Sequence, residues 1–168
     1  MTNTTATDTV QINRVYIRAT PERVWEAITS PEWNGKYGYG APAKYDLRPG
    51  GKYEAYATEE MKAYDPNLGD ICVDGEVLEA DPPRKLVQTW RMCMDQGTKE
   101  EGFTRLTWEI ESSFDGVCKL TVTHELSGAP KLAELVSGAL ERTGAGGGWS
   151  FVLSDLKSLV ETGAPLAG

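Results

Sequence analysis

Histidine is nearly absent from this chain: His124 stands alone among 168 residues. Cys72, Cys93 and Cys118 are the only cysteines, and no C-x-x-C or H-x-x-x-H spacing joins any of them to a partner. A tetrahedral zinc site needs such paired ligands, so no metal is expected. An odd set of three, widely spaced and set among strand-like residues, builds no disulfide framework either, and buried reduced thiols are the expectation. Basic residues are the scarcer sign, 17 against 25 acidic, and the net charge of −8 repels phosphate backbones and anionic lipid heads. Nucleic acid and membrane surface are therefore not expected as partners. No stretch approaches the roughly 20 apolar residues of a spanning helix, and Met1 to Thr9 is polar, threonine-rich and without a basic segment. A cytoplasmic location is the corresponding expectation.

What the chain does contain is enough apolar material for one sizeable core: 40% hydrophobic residues, with five Trp, seven Tyr and three Phe. No repeat or change of composition marks a boundary. A single domain over 10–162 is expected, flanked by disordered tails at 1–9 and 163–168.

Hydropathy period places the elements. Gln11 to Arg18 alternates as a strand; Thr20 then offers an N-cap hydroxyl and Pro21 occupies the first helical position, where its missing N–H costs nothing. Ser30-Pro31 repeats that cap chemistry for a second short helix through Trp33. Gly35 to Ala43, rich in Gly, Tyr and Pro, reads as a mobile connection and a candidate lid. Tyr45 to Arg48, the Pro49-Gly50-Gly51 turn and Lys52 to Ala57 make a hairpin. Glu59 to Gly69 is a polar connection. Ile71 to Ala80, Lys85 to Met94, Phe103 to Glu111 and Val117 to Leu126 are further strands, joined by the stop at Pro82-Pro83, a loop around Gly97 and a turn at Asp115-Gly116. Leu106, Trp108 and Ile110 share one face, as do Leu120, Val122, His124 and Leu126. A helical stripe at Leu132, Leu135, Val136 and Leu140 breaks or frays at the glycine run 144–148. Trp149, Val152, Leu153, Leu156, Leu159 and Val160 then recur at helical spacing to pack on the sheet.

Two motif-like stretches fail their own chemistry. Asp65, Asp70, Asp74 and Glu76 resemble a calcium loop, but the sixth position holds Asp70 where the sharp turn wants glycine, and Pro66 stiffens the second. The glycine run is no dinucleotide loop, because Trp149 occupies the third glycine position. No cofactor is expected.

Ala19-Thr20-Pro21-Glu22-Arg23-Val24-Trp25, Ser30-Pro31-Glu32-Trp33, Leu47-Arg48-Pro49-Gly50-Gly51, Asp74-Gly75-Glu76 through Asp81-Pro82-Pro83, Thr89-Trp90 and Gly148-Trp149 with Leu153 and Leu156 occur in this order. Together they resemble the START-like (SRPBCC) superfamily, and within it the family named for the C-terminal domain of the activator of the heat-shock-protein-90 ATPase, over about Ile12 to Glu161. The resemblance implies an α+β helix-grip fold: six or seven antiparallel strands curved around a long C-terminal helix, with two short helices after the first strand and a largely apolar cavity inside. An insertion at Glu59 to Asp70 and the glycine run before Trp149 depart from the family's pattern and bear on the pocket mouth. The co-chaperone's separate N-terminal domain is not in this sequence, which makes direct chaperone activation a secondary expectation.

A concave sheet that one helix does not fill leaves room for a ligand, and large rings with polar tips are what small-molecule sites use. The expected site has Trp33, Tyr37 and Tyr39 at the mouth, Tyr53, Trp90, Met92, Trp108 and His124 along the wall, and Trp149, Val152 and Leu153 on the helix side. A small hydrophobic or aromatic molecule is the expected partner. An enzyme of the cyclase, dehydratase or hydrolase type is the alternative, to be decided by whether a carboxylate or tyrosine lies within hydrogen-bond reach of His124. A chaperone-associated interaction domain is the third reading, by family analogy alone.

Overall fold

The computed structural model describes residues 9–144 and 146–166. Most of the two expected tails, residues 1–8 and 167–168, and position 145 of the glycine run lie outside the described residues.

The elements follow the chain in the order β1 (Val10–Ile17), α1 (Pro21–Thr29), α2 (Pro31–Asn34), β2 (Ala43–Tyr45), β3 (Lys52–Tyr56), α3 (Glu59–Tyr64), β4 (Ile71–Asp81), β5 (Lys85–Met92), α4 (Gln96–Glu100), β6 (Thr104–Phe114), β7 (Val117–Glu125), α5 (Pro130–Val136), a 3-10 turn (Glu141–Thr143) and α6 (Gly148–Thr162). The strands form one antiparallel sheet in the order β1-β7-β6-β5-β4-β3-β2. Register shifts at Ala55/Tyr56, Val77/Glu79 and Ser112/Phe114 insert extra residues, which bend and twist the strands that carry them. The result is the expected helix-grip architecture with seven strands. Alternation sorts the faces as read from sequence: Leu106, Trp108, Ile110, Leu120, Val122 and His124 are all buried on the concave side. Trp149, Leu153, Leu156 and Leu159 of α6 are buried against it.

Three local expectations need correction. Thr20 does cap α1, its hydroxyl accepting from the Arg23 N–H, but Ser30 makes no side-chain cap for α2. The polar connection after β3 contains a helix, α3, launched by the Thr58 hydroxyl, and the loop around Gly97 contains α4, capped by Asp95. Both are short and almost free of buried side chains, so they leave no apolar period to read. The helical stripe does break before Trp149, α5 ending at Val136 and α6 starting at Gly148, and the last glycine of the run makes a close contact at that break. Gly148 has φ +68°, and a Cβ there would lie 2.2 Å from the Val136 carbonyl oxygen, so only glycine lets α6 start against the end of α5. Beyond α6, Ala164 and Leu166 hydrogen-bond back to it through Ser158 and Asp155.

The acidic stretch is held by cations of the chain itself: Asp70 pairs with Lys62 and Asp74 with Arg91. The three cysteines are free thiols, and burial pushes each upward, Cys72 to about 11. Among the described residues no helix is long and apolar enough to cross a membrane.

Candidate functional site

Two polar groups sit on the concave face among aromatic rings. The first is His124, fully buried on β7. The Trp149 indole N–H, which can only donate, lies 3.1 Å from Nδ1, so Nδ1 carries no proton and accepts. The imidazole proton is therefore on Nε2, 2.8 Å from the Thr104 hydroxyl oxygen, and that hydroxyl donates onward to the Trp90 carbonyl at 2.8 Å. Burial pushes the His124 pKa down to about 3, which keeps the ring neutral. The Trp149 ring meets Trp108 edge-on at 5.6 Å, Trp90 at 6.2 Å and His124 at 5.8 Å between centroids. Rings thus occupy the space between the start of α6 and strands β5 to β7.

The second group is Gln88 on β5, also fully buried. Its Oε1 accepts from the Tyr45 hydroxyl at 2.9 Å and from the Trp108 indole N–H at 3.1 Å. Because the indole only donates, the amide cannot be turned the other way. The Tyr45 and Tyr53 rings pack with centroids 4.7 Å apart, and the Tyr53 hydroxyl lies within electrostatic reach of Tyr45 and the Trp90 indole. Gly75 of β4 pairs with Tyr53, and a Cβ there would lie 2.0 Å from the Thr89 carbonyl oxygen, so glycine is what lets the β5 backbone come this close. Burial raises the hydroxyls of Tyr37, Tyr45 and Tyr53, so all three stay protonated.

The segment between α2 and β2 covers this second group. The buried Tyr37 hydroxyl donates to the Ala27 carbonyl at 3.2 Å and lies within electrostatic reach of Tyr45 and Tyr53. Asp155, 1% exposed on α6, ties the segment down: Oδ2 accepts from the Gly38 N–H at 2.8 Å, while Oδ1 accepts from the Leu166 N–H. Tyr39, half exposed, packs on Phe151, and its hydroxyl accepts from the Gly148 N–H at 3.2 Å. A depression of about 170 Å³ opens here, lined by Gly35, Lys36, Tyr37, Gly38, Gly40, Asp155 and Pro165. A second, of about 460 Å³, lies at Gly50, Gly51, Lys52, Gly75, Glu76, Thr89 and Phe103 and takes in none of the expected site residues.

Of the expected residues, Trp90, Trp108 and His124 all meet Trp149, and Tyr53 lies within electrostatic reach of Trp90. Leu153 is buried on α6, Met92 is partly buried at the end of β5, and Val152 lies under Gly38. Trp33 stands apart, its ring beneath the Arg23 guanidinium at 3.8 Å and the Lys36 ammonium at 4.4 Å. Gln88, Tyr45, Thr104 and Asp155 were not anticipated. Two of them carry a signal: Gln88 is a polar residue in phase with Leu86 and Trp90, and Asp155 is a charge on the apolar stripe of α6. Polar residues at core positions call for partners.

Comparison with solved structures supports the fold. An HSP90 activator from Plasmodium falciparum is 23% identical, with a TM-score of 0.62, the match covering 90% of this chain and 95% of that one. The Aha1 dimer from Colwellia psychrerythraea is 17% identical at a TM-score of 0.62, covering 92% and 98%. CalU16 from Micromonospora echinospora is 19% identical at 0.62, covering 96% and 70%. No curated protein matches the sequence. Residues 18–161 match the family model described as "Activator of Hsp90 ATPase homolog 1-like protein", which spans most of the chain. The chain belongs to that family.

Proposed function

We propose that this protein binds a small hydrophobic or aromatic molecule between α6 and the concave sheet, entering beneath the segment that carries Tyr37 and Tyr39. One observation carries this reading: Tyr37 lines the outer depression and on its inner side approaches Tyr45 and Tyr53, so a single side chain separates solvent from a wall of rings with polar tips. Tyr53, Trp90, Trp108, His124, Trp149 and Leu153 form the wall of the proposed site, Tyr37, Tyr39 and Val152 its cover, and Trp33 and Met92 its margins. Binding displaces Tyr37, with Gly38 and Gly40, at φ +65° and +76°, as hinges. Titrating isotope-labelled protein with a panel of aromatic and aliphatic probes tests it. Saturable shifts at Tyr37, Tyr53 and Trp149 are expected; shifts confined to exposed residues contradict it.

A protein-contact reading has its own support. Val10, Ile12 and Tyr16 on edge strand β1 are each about half exposed, and the Plasmodium relative is described as an HSP90 activator. Capture of an Hsp90 by the wild type but not by Ile12→Lys supports it, and a pull-down that recovers no chaperone removes it. The enzyme reading gains nothing from His124, whose two ring nitrogens are engaged by Trp149 and Thr104 rather than by a carboxylate or tyrosine.

A further inference from the structure

The Gln88 side chain has more donors than the fold uses. Its oxygen already accepts two hydrogen bonds, from Tyr45 and Trp108, and is fully engaged. Its Nε2 carries two N–H groups. One meets the Thr89 carbonyl at 3.4 Å, the long limit of a hydrogen bond, and the other has no acceptor among the described residues. A central strand of an apolar bowl is a costly place for an idle donor. The Trp108 indole leaves the amide no freedom to turn and hide it.

The surroundings define what this donor can meet. No Lys or Arg is buried among the described residues, so nothing inside neutralises an anion. The nearby tyrosine hydroxyls are neutral, and the flanking groups are rings. Tyr37, itself buried, lines the depression at Gly38 and Asp155.

We infer that Gln88 is the specificity-determining residue of the interior site, its amide N–H groups donating to a carbonyl oxygen of an uncharged, ring-containing ligand. This inference rests on the ligand-binding reading and narrows it to neutral carbonyl compounds such as cyclic ketones and quinones. Tyr45 and Trp108 are positioning residues: by donating to Oε1 they fix which end of the amide carries the free N–H.

Matched probes test the inference separately from the reading beneath it. 1-Tetralone and tetralin share a ring frame and differ by one carbonyl oxygen; 2-naphthoate adds a negative charge. Affinities come from tryptophan fluorescence, and the side-chain amide signals of Gln88 are followed by 15N NMR. The wild type is expected to bind 1-tetralone at least tenfold more tightly than tetralin, to bind 2-naphthoate more weakly than either, and to shift the Gln88 amide signals only with the ketone. Gln88→Met is expected to bring 1-tetralone and tetralin within about twofold. Should that variant fail to fold, the amide signals of the wild type decide. Equal binding of ketone and hydrocarbon, with the Gln88 signals unmoved, overturns the inference and leaves an apolar site served at Gln88 by water. Binding of neither probe overturns both.

Discussion

His124 and Gln88, both buried and neutral on the concave face, are satisfied in opposite ways. Around His124 every hydrogen-bonding atom has one role: Trp149 donates in, the ring donates to Thr104, and Thr104 donates to the Trp90 carbonyl. Around Gln88 two donors crowd the oxygen while the nitrogen is nearly idle. The first is sealed by Trp149 of the long helix. The segment beside the second is held by single hydrogen bonds to Asp155, Gly148, Ala27 and Tyr56. A saturated network fixes the helix on the sheet, whereas an unsaturated one beside a hinged cover is suited to a ligand.

The largest effect is expected at His124. His124→Ala removes a buried ring and orphans the Trp149 and Thr104 groups, so unfolding in urea should show a loss of about 4 kcal/mol. A loss below about 1 kcal/mol would mean that the network holds nothing together. Acidification probes the same side chain. The unfolded imidazole protonates near its ordinary value of 6.5, but the folded one only near 3. Between those values the unfolded chain holds a proton that the folded chain lacks, so stability falls as pH drops, by about 1.4 kcal/mol per pH unit. From pH 6.5 to 5 this amounts to roughly 2 kcal/mol, and His124→Asn should abolish that part of the slope.

Smaller effects are expected on the other side. Gln88→Met orphans the Tyr45 and Trp108 donors but also removes an idle donor, so it should cost only about 1–2 kcal/mol by urea unfolding. A cost equal to that of His124→Ala would erase the distinction between the two groups. Asp155→Asn keeps one acceptor of two and should cost about 1 kcal/mol, while the Gly38 and Leu166 amides exchange with deuterium at least tenfold faster. Unchanged exchange at Gly38 would show that the cover does not depend on Asp155.

The strands and α6 were legible because each carries its own period, whereas α3 and α4 bury almost nothing and carry none. Alternation placed Leu106, Trp108, Leu120 and His124 on one face, and the spacing of Trp149, Leu153 and Leu156 placed α6 against it. The site was legible only as a set of rings. Trp90, Trp108, His124 and Trp149 are assembled by β-pairing and helix phase, but that Trp149 caps His124, or that Trp33 meets Arg23 and Lys36, depends on side-chain directions that spacing leaves open. Gln88 was overlooked although its phase marked it. Its importance lies in which atoms remain unpaired, and pairing across β2, β3 and β5 is fixed by strand order rather than by local sequence.

Side-chain 15N NMR during titration with 1-tetralone compares the two groups in one sample. Saturable shifts of the Gln88 amide are expected while the His124 ring nitrogens keep their neutral pattern, one protonated and one not. Movement of His124 with a silent Gln88, or no saturable interior shift at all, would contradict this expectation.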